Sequence, residues 1–221
     1  MMNNVVNSLI KSSTGYILLM IASIGDLMLP FLFAPFCKTH NHLTMVMSLL
    51  GNPNSPVHII YSIWLIGAGI MLIFGALTLY TIFVSISSVL SKILLVCIVL
   101  FAVGACILSG IFPAEETKEL STLSAKIHGV GSVLGFFALL FVPLIIGLIS
   151  LHSNEIIYGI ISIIFFILAI LFFSFFAMSD KETFSDTIIA NEGLWQRLNL
   201  LCMYAPLVMI SMKNLLSHEI E

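Results

Sequence analysis

Polar positions along this chain fall in short clusters, and the stretches between them are apolar for twenty residues or more. A helix needs about 20 predominantly apolar residues to cross roughly 30 Å of hydrocarbon. Six segments meet that length, at residues 14–36, 57–85, 89–111, 127–150, 156–178 and 194–216. The second is longer than a crossing requires, which predicts tilt or an end lying in the interface. Only short loops remain, so the pattern predicts one all-α integral membrane domain over residues 1–221. Six crossings place both termini on the same side of a single bundle.

Composition sharpens this picture. The 221 residues are 60% hydrophobic and only 9% charged, with seventeen Phe and a mean hydropathy of +1.16. A water-soluble surface carries far more charge. Eight Lys and Arg stand against eleven acids with no basic cluster, which excludes a nucleic-acid binder. Four scattered Cys form neither a disulfide framework nor a redox pair. The first apolar stretch is too long for a cleavable signal, carries Asp26 and lacks a small-x-small site. Cys37, after Ala34-Pro35-Phe36, does not fit a lipoprotein acylation site.

Orientation is close to a tie. Lys11, Lys92 and Lys213 fall on the side of the termini, and Lys38, Lys118, Lys126, Lys181 and Arg197 on the other. The positive-inside rule leans against internal termini. Setting aside Lys126 and Arg197, which a site would claim, balances the two sides. The three long loops share one face, and the reading adopted puts them outside and the termini inside.

Asp26 stands near the middle of the first span, where an ionised carboxylate costs a few kcal/mol even on lenient scales. Pro30, four residues on, cannot donate to the Asp26 carbonyl. An acid beside a freed carbonyl resembles the broken-helix cation and proton sites of transporters, although a protonated Asp26 and a plain kink explain the same residues.

Other polar residues enter from the long-loop side. His58 opens the second span, Phe112-Pro113 closes the third, and His128 opens the fourth after Lys126. Glu192, Gln196 and Arg197 open the sixth. Glu192 and Gln196 share a helical face; a Glu in a first turn is also what the helix dipole favours. Arg197 lies deep enough to need a partner, and its planar fork suits a carboxylate or phosphate. A metal bridged by His58, His128 and an acid is a weak alternative. His40 and His42 lack the third or fourth ligand that zinc needs. Thus no metal and no cofactor is expected. Small residues at Ala102, Cys106 and Gly110, and at Gly131 and Gly135, mark close helix approaches. Pro143 and Pro206 are expected to kink their spans as Pro30 does.

Three stretches together carry a family resemblance. They are Met47-Ser48-Leu49-Leu50-Gly51-Asn52-Pro53-Asn54-Ser55-Pro56 with Gly67 following, Gly110-Ile111-Phe112-Pro113-Ala114-Glu115 with His128, and Glu192-Gly193-Leu194-Trp195-Gln196-Arg197. In order and spacing they resemble the bacterial and archaeal integral membrane proteins grouped as domain of unknown function 998, over about residues 15–216. The resemblance implies a six-helix membrane fold in a bacterial cytoplasmic membrane, and it marks Ser48, Gly51, Pro56, Phe112, Pro113, His128 and Arg197. It implies no activity. Asp26 belongs to none of these motifs. At the level of fold the chain also looks like the Frag1/DRAM/Sfk1 proteins, which are tied to lipid handling.

Three functions remain open. In the first, the chain binds or carries an anionic lipid or small amphiphile. Arg197, Gln196, Lys126 and His58 would surround the head group, and Asp26 would act as a coupling site below. In the second it is an intramembrane hydrolase, with His128 as base and Glu192 or Asp26 as orienting acid, although no nucleophile motif is present. In the third it is a non-catalytic accessory subunit with a protein partner or a second copy. Convergence of the polar residues on one cavity would favour the first two.

Overall fold

A computed structural model describes residues 13–38, 40–115 and 121–218. Lys11 and Lys118, which enter the charge count above, lie outside the described residues. Six helices are long and apolar enough to cross a membrane: α1 Thr14–Phe36, α2 His58–Phe83, α3 Ser88–Ile111, α4 Leu123–His152, α5 Ile156–Met178 and α6 Glu192–Ser217. No strand occurs among the described residues. The chain is a multi-pass helical membrane protein.

Two boundaries differ from the sequence expectation in ways that matter. Helix α4 begins at Leu123, not at 127, because Thr122 caps it: its Oγ accepts from the Ala125 N–H at 3.1 Å. Lys126 and His128 therefore sit inside the helix, two positions or about 200° apart around its axis. Helix α6 begins at Glu192 rather than 194, so Glu192 and Gln196 lie one turn apart on the same face.

The three prolines behave differently. Pro30 and Pro206 lie within continuous α-helix. Around Pro143 the span divides at Phe141 into Leu123–Leu140 and Val142–His152, since proline lacks an N–H and crowds the carbonyl four residues back. Helix α3 has an unexpected feature, a π-helical segment at Ala102–Ile107.

Helix α5 turns small residues inward and large ones outward, as lipid-facing helices do. On α5 only Gly159, Ser162 and Ala169 are buried, whereas Ile157 and Ile167 are exposed. The small residues of α3 serve two neighbours. On one side a Cβ at Gly69 of α2 would come within 2.7 Å of the Ala102 carbonyl, and one at Gly110 as close to the Ser62 carbonyl. On the other, a Cβ at Gly131 of α4 would come within 2.8 Å of the Gly104 carbonyl, and one at Gly135 within 3.0 Å of Ala105. The π-helical segment thus lies between two close backbone contacts.

Candidate functional site

The polar residues of five spans meet in one cavity of about 970 Å³. It runs from the loops between α1 and α2 and between α5 and α6 down to Asp26. Asp26 is ten residues from the Phe36 end of α1, roughly 15 Å at helical rise. His128 of α4, Ser109 of α3 and Gln196 of α6 line its walls, with Glu115, Asp180 and Glu192 nearer the loops.

Asp26 is held from across the bundle. Only 4% of it is exposed, and the Tyr204 hydroxyl of α6 donates to its Oδ2 at 2.8 Å. A charge-assisted bond of this kind offsets part of the cost of burying a carboxylate. Tyr204 begins a row of aromatic rings that crosses four helices. Its ring meets Phe101 edge-on at 5.9 Å, Phe101 meets Phe136 at 5.6 Å, and Phe136 stacks on Phe176 at 6.2 Å. Nothing in the sequence paired Asp26 with Tyr204, 178 positions away.

His128 is oriented by backbone. Its Nδ1 lies 3.1 Å from the Phe112 carbonyl; a carbonyl only accepts, so Nδ1 carries the proton and Nε2 is the basic atom of the neutral ring. One turn further along α4, Ser132 Oγ lies 3.2 Å from Ser109 Oγ, which joins α4 to α3 at the cavity wall. Neither serine was singled out by sequence. Glu115 accepts from the Thr122 hydroxyl, so the residue that caps α4 also positions a carboxylate at the mouth.

The remaining sequence candidates take other places. Gln196 is buried and lines the cavity, but its Oε1 accepts from the Met47 N–H at 2.7 Å and fixes the first loop. Arg197, the next residue round α6, is not among the lining residues. Its Nη1 donates to the carbonyls of His42 at 2.7 Å, Gly193 at 2.8 Å and Met45 at 3.1 Å, and its guanidinium lies over the Phe31 ring at 5.7 Å. It ties the first loop to α6. Lys126 is exposed and borders a separate apolar hollow on the outer face of α3 and α4. His58 turns back to its own loop, with Nδ1 2.9 Å from the Ser55 carbonyl, and is absent from the cavity lining. Among the described residues no three His, Cys, Asp or Glu are grouped to hold a metal ion.

The Arg197 clasp sets a pH response. Its Nη2 lies 3.4 Å from His40 Nε2 and 3.3 Å from His42 Nδ1. Burial, then Arg197, then His42 push the His40 imidazole down from 6.5 to about 4, and burial followed by Arg197 lowers His42 as well. The unfolded chain takes up these protons near pH 6.5, whereas native His40 waits until about 4. Native stability is therefore complete above 6.5 and falls as pH drops toward 4. Proteolysis of the loop at residues 40–46 should accelerate over that window, and His40→Gln should flatten the profile.

No curated protein and no solved structure matches the chain. With its six apolar spans and the loop motifs in register around the cavity, the chain belongs to the family described as Protein of unknown function (DUF998), whose sequence model matches residues 20–213.

Proposed function

We propose that this protein binds or carries a small amphiphile, taken from the bilayer into the cavity lined by all six spans. The observation that carries the reading is convergence: Asp26, Ser109, His128 and Gln196 come from four different spans and line one space. Helix register alone would be served by scattered pairwise contacts. The cavity also has a side facing lipid. Val133 of α4 lines it and is 66% exposed, next to the α5 residues Phe173 and Phe176 of the same lining. An apolar chain can thus extend beside α5 while the polar group stays inside. The partner we propose is a membrane lipid or lipid-like molecule. The setting is a bacterial cytoplasmic membrane, with the long loops outside.

A second reading, intramembrane acid–base chemistry, is favoured by the tautomer of His128, whose Nε2 is left basic in a cavity that also holds Ser132. It predicts a lipid-ester hydrolysis that His128→Gln abolishes.

Native mass spectrometry of gently extracted protein tests the main reading. One amphiphile per chain is expected, lost in Ser132→Phe, which fills the cavity, while the thermal midpoint stays within a few degrees. A protein that carries no amphiphile and co-purifies with a second polypeptide would replace this reading with the accessory-subunit one.

A further inference from the structure

The charged side chains described along the cavity are acidic. Among the described residues its lining holds the carboxylates of Asp26, Glu115, Asp180 and Glu192 and no Lys or Arg. The guanidinium that sequence placed at an anionic head group is turned away, with Nη1 engaged by three backbone carbonyls. Lys126 lies on the outside of α4.

The aromatic lining adds an independent feature. Asp26 is buried at the deepest part, and Tyr61, Phe101, Phe136 and Phe176 line the cavity with it. Aromatic faces carry negative electrostatic potential and attract a desolvated cation. A carboxylate beside several rings, away from bulk water, is a recognition chemistry for an amine or quaternary ammonium. The same surroundings oppose an anion, which would meet Asp26 and the rings with no cation among the described lining side chains.

Resting on the amphiphile-binding reading, we propose that the ligand is cationic: a single-chain amine or quaternary ammonium amphiphile. Its positive centre lies between the Asp26 carboxylate and the rings of Phe101 and Tyr61. Its alkyl chain leaves past Val133 into the bilayer beside α5. Tyr204 is a positioning residue that holds Asp26 Oδ2 from α6.

The test uses full-length protein in maltoside micelles and three probes of equal chain length: dodecyltrimethylammonium, dodecyl phosphate and a nonionic dodecyl ether. Native mass spectrometry and calorimetry read stoichiometry and affinity. Dodecyltrimethylammonium is expected to bind one per chain, at least tenfold more tightly than dodecyl phosphate. Asp26→Asn, in which the new amide oxygen still accepts from Tyr204, should weaken the cation at least tenfold and leave the nonionic probe within twofold. Phe101→Leu gives a second readout that does not touch the carboxylate, and it should weaken the cation selectively. Equal or tighter binding of dodecyl phosphate, blocked by Ser132→Phe, would overturn the cationic assignment and leave the amphiphile-binding reading standing. Failure of all three probes to bind stoichiometrically would overturn both.

Discussion

Gly131→Leu is expected to force α3 and α4 apart and to cost the bundle about 3 kcal/mol, the upper end of overpacking penalties. A Cβ at 131 would lie 2.8 Å from the Gly104 carbonyl oxygen, and one at 104 would meet the Gly131 carbonyl. Both obstacles are backbone, so no rotamer change relieves them. The adjoining residues Ala105 and Ser132 line the cavity, so the same variant should lose any bound amphiphile. Gly67→Ala is the control, because a Cβ there meets nothing within 4 Å; it should be neutral. Equilibrium unfolding in bicelles measures both. A Gly131→Leu variant as stable as the parent would mean that the α3–α4 contact is not as close as described.

Arg197→Ala is expected to act on the first loop before it acts on any ligand. Three carbonyls, of His42, Met45 and Gly193, lose a shared cationic donor. Each buried acceptor left unpaired costs about 1–3 kcal/mol. The residue itself is only 7% exposed, so a loss of about 3 kcal/mol in total is expected. Cleavage within residues 40–46 should rise by at least tenfold. Arg197→Lys should recover part of this, since an ammonium can reach carbonyls but cannot also face two imidazoles. Loop cleavage unchanged in Arg197→Ala, with bound amphiphile lost, would restore the anion-clamp role that the sequence pointed to.

The reach of sequence reasoning differs between these residues for physical reasons. Six crossings were legible because hydrocarbon thickness sets a length that only long apolar runs satisfy. Asp26 was legible because a carboxylate at mid-span is costly wherever its partner lies. The partner was not: Tyr204 stands in an apolar run and gives no local sign of facing α1. Lys126 could have been separated from His128, since two positions on a helix point nearly opposite ways, once the start of α4 was placed at Leu123. Gln196 and Arg197 are neighbours in sequence, yet one lines the cavity and the other ties down a loop. The acceptors that hold Arg197 are backbone carbonyls, which every residue carries and no pattern of side chains reveals. The π-helical segment at Ala102–Ile107 likewise has no marker beyond its small residues.

The central claim is that a polar cavity reaches Asp26 from the long-loop face. Substituted-cysteine labelling tests it most directly, in a chain with Cys37, Cys97, Cys106 and Cys202 replaced by Ala. Ser132→Cys lines the cavity, and Val103→Cys lies at a similar depth on the outer face of α3. A thiol reacts as the thiolate, which forms in water and not against acyl chains. A membrane-impermeant thiosulfonate is expected to modify Ser132→Cys at least tenfold faster than Val103→Cys, and a bound dodecyl amphiphile should slow it. Equal, negligible labelling at both positions would contradict the cavity and with it the proposed function.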